Sequence, residues 1–597
     1  MTASHLNLGV IGNCQVSSLI DEHGKHVWTC LPRFDGDPMF CALLRDDPED
    51  ARQGFFLIEL EGCVQTSQRY LRNTAILETE LATAEGARIR ILDFCPRFRL
   101  FGRNFHPAML IRIVEPIAGQ AVIRVRLRPL TAFGERVPAS RLGSSHIRYE
   151  GSAMTLRVTT DASLTAVTEE RALVLRERLT FILGPDESIA ESVDSLAQRF
   201  LVETERYWVD WARSLAIPFE WQEAVIRAAI TLKLCSFEDT GAVIAAMTTS
   251  IPEAAGSGRN WDYRHCWLRD SYFTIQALNG LGATRTMEAY LRYIANVVAG
   301  AEATRLQPVY GISGQAAIVE SIITTLPGYR GMGPVRIGNQ AYEQHQHDVY
   351  GAVILAATQA FFDLRLTQQG DAAAFAQLEA AGERCVTLFD QPDAGLWEYR
   401  GRARVHTFSS VMCWAGADRL ARIAAHLGLE RRAAYWRQHA DAMHARICSE
   451  AWDPAQDSFT ESWGLPALDA SLLLLHELGF LAADDPRFTN TIAAIERVLR
   501  RGDYLMRYVG EDDFGLPENA FNICTFWFVN ALAVTGRKEE ARRIFENMLA
   551  RRNALGLLSE DLDPVTGELW GNYPQTYSLV GIIGAAIRLS RSWEEAL

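Results

Sequence analysis

The hydrophobic period of this chain changes once, and that change divides it. From the N-terminus to about residue 190 the apolar residues come in short β-type runs such as HVWTCLP, ARIRILDF, AMLIRIVEP, AVIRVRLRPL and MTLRVTT, separated by Gly, Pro and Asp turns. Period-two runs at this spacing predict an antiparallel β-sandwich over residues 1–193. Within DSLAQRFLVETERYWVDWARSL the apolar steps lengthen to three and four residues, which predicts a linker helix over 194–217. Beyond it, residues 218–597 read as amphipathic helix after amphipathic helix, an all-α second domain.

That second domain carries a weak internal repeat. A Pro-centred turn ending in an aromatic recurs as QPDAGLW, DPAQDSF and DPVTGELW, and suggests a unit of roughly 55 to 60 residues, the length of two helices with their loops. About six such pairs fit the remaining chain, enough to close into an (α/α)6 toroid whose loops surround a central pocket. An open helical solenoid is the competing architecture. With 597 residues, two domains are expected.

Charge excludes some functions. There are 59 Lys and Arg against 73 Asp and Glu, a net −14 with no basic block, so affinity for nucleic acid through phosphate neutralisation is not expected. Neither a signal-like start nor the roughly 18 apolar residues of a membrane span is found, and the chain reads as cytoplasmic. Eleven Cys without a CxxC pair read as reduced thiols, with no zinc site and no cofactor.

Three loop stretches carry chemistry. GRNWDYRHCWLRDSYF, from Gly258, sets aromatic rings among Arg and Asp just before an apolar helix. Sugars ask for that mixture, because a pyranose has an apolar face and a rim of hydroxyls; an Arg–Asp capping network with core rings is the plainer alternative. DAGLWEYRG places Glu398 beside Trp397, where an acid packed on an indole would have a raised pKa suited to a general acid; a surface Glu paired with Arg400 or Arg402 is the alternative. In LGLLSEDLDPVTGELWGNYPQTYSL, Glu560 follows an apolar run and would stay ionised to activate water, unless it is merely solvated beside a Ser559 turn. Two carboxyls on opposite loops, about 6.5 to 9.5 Å apart, are the layout of inverting glycoside hydrolysis.

In this order and at these separations the three stretches resemble glycoside hydrolase family 15, the glucoamylase and bacterial trehalase family, in its two-domain form. The resemblance extends to GNCQVSSLIDEHGKHVWTCLPRFDG near the N-terminus. It implies that Tyr263, Trp267, Arg269 and Asp270 line the subsite of the non-reducing glucose, with Arg269 and Asp270 gripping its hydroxyls and Trp397 beside them. It places the general acid at Glu398 and the general base at Glu560, and implies release of β-glucose from a small α-glucoside. Trehalose is the leading substrate, isomaltose or a malto-oligosaccharide the alternative, and a non-catalytic sugar-binding protein the reading from another class. Two departures stand out: Leu579 where many relatives carry His, and Ser-Glu-Asp where Ser-Glu-Glu is commoner.

Other strings are weaker. QAYEQHQHDVYG offers His345, His347 and Asp348, but His-x-His does not put two rings on one helical face, so capping or a subsite wall is expected rather than a metal. The loop GYRGMGPVRIGNQ lacks the context of a phosphate cradle and is expected to be a mobile loop near the pocket. The acidic EDDFGLPENAF, with Glu511, Asp512, Asp513 and Glu518, is a candidate pocket rim. WTCLPRFDG, with Trp28 and Phe34, is expected to reach the pocket from the sandwich.

Overall fold

A computed structural model describes residues 5–45, 53–151, 153–300 and 305–596. The N-terminal part holds two large antiparallel sheets, one of seven strands and one of eight. Alternation in the sequence decides which side chains meet between them. In Ala121–Arg128, Ala121, Ile123, Val125 and Leu127 are buried while the intervening Arg124, Arg126 and Arg128 are only half-buried. The eight-stranded sheet is covered on both faces. Leu110 and Val114 of the strand Leu110–Ala118 join the core between the sheets. Ile111 and Ile113 face Leu196, Ala197 and Phe200 of a helix packed outside, so this strand reads as a nearly continuous apolar run.

A short helix, α1 (Leu164–Thr168), packs on the strand Ala121–Arg128. The covering helix is α2 (Val193–Arg213), which starts at an N-cap Ser192. Then come α3 (Gln222–Leu234), α4 (Leu268–Gly280), α5 (Thr284–Gly300), α6 (Asp348–Phe362), α7 (Ala372–Leu388), α8 (Thr407–His426) and α9 (Glu430–Glu450). A 3-10 turn follows at Ala470–Leu474, and α10 (Pro486–Leu499), α11 (Asn522–Val534), α12 (Lys538–Ala550) and α13 (Thr576–Leu589) complete the domain. Helices α4, α6 and α8, the 3-10 turn, α11 and α13 each pack on the next, and α13 returns to α4. The ring is closed, and α3, α5, α7, α9, α10 and α12 lie outside it: an (α/α)6 toroid, not a solenoid. Its fourth inner position is the 3-10 turn rather than an α-helix.

Composition decides which helices lie inside. In α11 (NICTFWFVNALAV) almost every residue is buried, whereas in α12 (KEEARRIFENMLA) only Ala541, Ile544, Phe545 and Met548 are. An all-round apolar helix needs neighbours on every side, and a striped one needs a single face. Gly351 lets α6 approach α8: a Cβ there would lie 2.1 Å from the Met412 carbonyl oxygen.

The stretch Trp28–Gly36 joins the two parts. Trp28 is buried and its indole N–H donates to the Met247 carbonyl at 2.9 Å, Phe34 meets Phe237, and Arg264 donates to the Gly36 carbonyl at 2.9 Å. No disulfide joins the cysteines, nine of which are buried. Among the described residues no helix is long and apolar enough to cross a membrane.

Candidate active site

The segments leading into the inner helices all converge on one end of the toroid. Trp267, His347, His406, Phe521 and Gln575 are the N-caps of α4, α6, α8, α11 and α13, and Asp469 precedes the 3-10 turn. Helix N-termini carry partial positive charge and unsatisfied N–H groups, so this end tolerates buried carboxylates that the opposite end would not. A cavity opens there, and Tyr263, Trp267, Arg269, Asp270, Trp397, Glu398 and Glu560 all line it. Every described residue of its lining lies in the helical domain. Trp28 and Phe34 are not among the residues that line it; Arg264, which meets Asp262 at 2.8 Å, lies over the Trp28 ring, and Phe34 packs on Phe237.

Two rings of one turn each hold a carboxyl. Tyr263 and Trp267 lie edge to face, 5.4 Å between centroids. The Tyr263 hydroxyl donates to Glu560 Oε1 at 2.6 Å, and the Trp267 indole N–H donates to Glu398 Oε1 at 2.7 Å. Glu398 is half-buried at φ 60°, a left-handed backbone that costs a non-glycine residue about 1 kcal/mol or more. The turn is pinned by the buried carboxyl of Asp393, which accepts from the backbone N–H of His347 at 2.8 Å, the Ser409 hydroxyl at 2.7 Å and the backbone N–H of Gly395 at 3.1 Å. Burial pushes Asp393 up to about 7 against those donors. Gln346 adds a second donor to Glu398 Oε1 at 3.1 Å, leaving Oε2 with no hydrogen bond from the protein.

The indole bonded to Glu398 is therefore that of Trp267. Trp397 points its N–H at Asp469, 2.7 Å away, and packs its ring against Tyr508, Phe521 and Trp527. Arg400 and Arg402 do not pair with Glu398: Arg400 meets Glu320 at 2.7 Å, and Arg402 lies over the Tyr399 ring.

Glu560 is buried to 1% exposure, and its Oε2 has no hydrogen-bond partner. Burial, reinforced by the Glu253 carboxylate, pushes it up to about 8 despite the Tyr263 hydroxyl and Arg507. An ionised base was expected here; the buried site instead favours a protonated one at neutral pH. One terminal nitrogen of Arg269 donates to Gln346 at 2.8 Å and Asp348 at 2.9 Å, the other to the Leu396 carbonyl at 3.1 Å, bracing the acid's loop. Its Nε is buried without a hydrogen-bond partner, 3.7 Å from Asp270 Oδ1. Asp270 is the member of the pair with an unpartnered buried oxygen, Oδ1, and burial holds its carboxyl at about 7.

Asp348 accepts from Arg269, and His347 stands at the N-cap position of α6 without a capping side-chain hydrogen bond, its Nδ1 unpartnered. Among the described residues no group of three or more His, Cys, Asp or Glu is placed to hold a metal. In the acidic cluster, Asp512 receives Arg259 bidentately at 2.5 and 2.6 Å, Asp513 takes the Arg400 backbone N–H at 2.7 Å, and Glu511 and Glu518 are exposed. The Gly-rich loop is anchored at its first residues: Tyr329 is buried and meets Trp570, Arg330 pairs with Glu568 at 2.8 Å, and the Gly328 N–H donates to the Leu44 carbonyl. Leu579 lies in the helical core at 0% exposure, outside the cavity lining. Glu253, Gln346, Asp393, Asp469 and Arg507 went unnoticed in the sequence. Asp393 and Gln346 sat inside motifs, DAGLWEYRG and QAYEQHQHDVYG, whereas Glu253, in SIPEAAGSG, has no local signal at all.

Comparison with known proteins shows the family and the fold. Residues 221–587 match the family described as Glycosyl hydrolases family 15, and residues 4–167 match the domain described as Trehalase-like, N-terminal. A trehalase of Mycolicibacterium smegmatis is 33% identical, the alignment covering 98% of this chain and 91% of that protein. A trehalase of Thermoplasma volcanium is 31% identical over 99% and 93%. A bacterial glucoamylase, solved in complex with acarbose, superposes with a TM-score of 0.70 at 14% identity, covering 99% of this chain and 94% of its own, and shares the fold.

Proposed function

The chain belongs to glycosyl hydrolases family 15, and we propose that within it this glycoside hydrolase cleaves α,α-trehalose with inversion at one anomeric carbon. The observation that carries the reading is the pair Glu398 and Glu560, both lining one cavity and each bonded to a ring of the same turn. The relatives matched over nearly their whole length are named trehalases, which supports the disaccharide.

In this mechanism one glucose sits against Tyr263 and Trp267, with Asp270 accepting from its hydroxyls. Glu398, protonated on Oε2, delivers that proton to the glycosidic oxygen as the C–O bond breaks. Trp267 and Gln346 hold Oε1, so the proton leaves from the oxygen that carries no protein bond. Ionised Glu560 takes a proton from water, whose oxygen attacks the anomeric carbon from the opposite face. The attacked sugar leaves as β-glucose and the other as α-glucose.

An NMR time course with trehalose, isomaltose and maltose in separate tubes tests this, with wild type beside Glu398→Gln and Glu560→Gln. The expected result is α- and β-glucose growing in equal amounts from the start in the trehalose tube, and loss of both signals in each variant. Only α-glucose at early times would sink inversion. Faster cleavage of maltose or isomaltose would move the substrate, and silence in every tube would favour a non-catalytic sugar-binding protein.

A further inference from the structure

The residue after the base is also a buried acid, and it faces the same way. A side-chain carbon built on Gly571, whose φ is +75°, would lie 2.8 Å from Glu560 Oε2 and 3.0 Å from Asp561 Oδ2. Both oxygens are buried and neither has a hydrogen-bond partner. Asp561 is 2% exposed, and its backbone is held in a three-stranded ladder between Phe521 and Trp570, which fixes the position from which its side chain starts. Two unpartnered carboxyl oxygens converging over one glycine are repulsive if both are ionised and compatible if a proton lies between them.

The surroundings supply the missing positive charge only in part. Three carboxyls gather here, those of Glu253, Glu560 and Asp561. Two guanidinium groups face these three carboxyls, and neither donates a hydrogen bond to Glu560 or Asp561: Arg507 bonds Glu253 at 2.5 Å and has an unpartnered Nε, and Arg259 is clamped by Asp512, so their charge only partly offsets the crowding. Tyr263 reaches Glu560 only through Oε1, and the Glu560 backbone N–H is held by the Asn572 carbonyl.

We propose that Asp561 is a positioning residue for the base: its carboxyl shares one proton with that of Glu560 and so sets the pH above which Glu560 can accept a proton from water. Asp561 is itself raised well above the ordinary carboxyl range, by burial first and by the neighbouring Glu560 and Glu253 next, in keeping with a shared proton. The Ser-Glu-Asp order thereby gains a role that its departure from Ser-Glu-Glu did not suggest.

The proposal rests on Glu560 being the base, and the test keeps the two apart. In the wild type, one proton divides between two tautomers, and only one of them leaves Glu560 ionised. Full activity therefore waits for the second, higher ionisation of the pair. Asp561→Asn carries no charge and leaves Glu560 to titrate alone. The acid limb of kcat/KM on trehalose, measured on the full chain, is then expected to move to lower pH by about one unit, a tenfold change in proton concentration, and to steepen to a single ionisation. A limb that stays in place or moves up in a folded variant overturns the proposal; a purely structural Asp561 would change the height of the profile and not its position. Should Asp561→Asn fail to fold, infrared titration of the protonated-carboxyl band in wild type and Glu560→Gln decides without turnover. A protonated-carboxyl component in the wild-type minus Glu560→Gln difference at neutral pH, where the bands of Asp270 and Asp393 cancel, with Asp561 titrating at lower pH in the variant, is expected, and its absence overturns the proposal. Full activity in Glu560→Gln would instead strike at the assignment of the base.

Discussion

Two clusters of buried charge, one in each domain, solve opposite problems. In the sandwich core Ser18, His26, Asp93 and Arg112 are all essentially unexposed and all paired. Arg112 reaches Asp93 with two nitrogens at 2.7 and 2.9 Å, His26 meets the same carboxyl at 3.3 Å, and Ser18 closes the chain on His26 at 2.6 Å. Burial alone would push Asp93 up, yet Arg112 and His26 hold it below its ordinary value, while burial and Arg112 together keep His26 neutral, down to about 4. A Ser, a His and an Asp in this order look like a hydrolytic triad, but all are at most 1% exposed and none has an unpartnered polar side-chain atom among the described residues. In the toroid, three carboxyls crowd beside engaged arginines and two oxygens are left without partners. Matched charge holds a fold together; unmatched charge, kept in place by the rest of the fold, is what does chemistry.

The sharpest way to break this contrast is to neutralise one acid from each cluster. Glu560→Gln should lower kcat/KM on trehalose by about 10²- to 10⁴-fold, the range of a lost general base, while raising the melting temperature. The sign follows from linkage. The unfolded Glu ionises near its ordinary value, whereas the folded one holds its proton to about 8, so stability falls as pH rises between the two and levels off above. The variant has no such slope. Its advantage should be absent near pH 4.5, grow towards pH 8 and reach on the order of 1–3 kcal/mol after allowance for relaxation. Thermal melts from pH 5 to 8 measure it; a variant no more stable than wild type at pH 8 would refute the strain.

Asp93→Asn should do the reverse. It leaves Arg112 buried without its partner, at a cost of about 3–5 kcal/mol, while kcat/KM per folded molecule stays within about twofold. The Asp93 pair contributes stability above the carboxyl's unfolded value and loses it as pH falls through the depressed folded one. The penalty of Asp93→Asn should therefore shrink on acidification, and urea midpoints at two pH values check it. A large fall in turnover of folded Asp93→Asn would mean that the sandwich cluster serves the reaction after all.

Gly571→Ala probes the unmatched cluster by shape rather than charge. The new methyl would sit 2.6 Å from Glu560 Cβ, on a backbone at φ +75°. About 1–3 kcal/mol of strain and a fall in kcat/KM of about 10- to 100-fold are expected from a displaced base. An active, stable variant would show that the base has room the structure does not grant it.

The same contrast explains what was legible in the sequence. Strand alternation such as AVIRVRLR and the all-round apolar character of FNICTFWFVNALAV are local patterns that packing merely completes, so sandwich and toroid both read out. The seven residues named from the sequence line one cavity because each sits in a short motif at or just before the start of an inner helix. Glu253 meeting Arg507, or Arg259 meeting Asp512, joins positions more than 250 residues apart, and nothing local marks them. The ionisation of Glu560 was misread for the same reason: it depends on Glu253 and on burial, which only the folded chain brings to bear.

Tyr263→Phe is the mildest test of the comparison and the most specific. The ring stays, so contact with Trp267 at 5.4 Å and the wall of the cavity are kept. What is lost is the hydroxyl that donates to Glu560 Oε1 at 2.6 Å. That bond favours the ionised base and is one of the few forces holding Glu560 down against burial and Glu253. Its removal should lift the acid limb of kcat/KM to higher pH and, at neutral pH, lower the rate about 5- to 10-fold, the net worth of an ordinary hydrogen bond of about 1 kcal/mol. Asp561→Asn pushes the limb the other way, so the double variant should fall between the singles. Limbs that move in the same direction in both singles would show that the hydroxyl and the neighbouring acid do not act on one carboxyl.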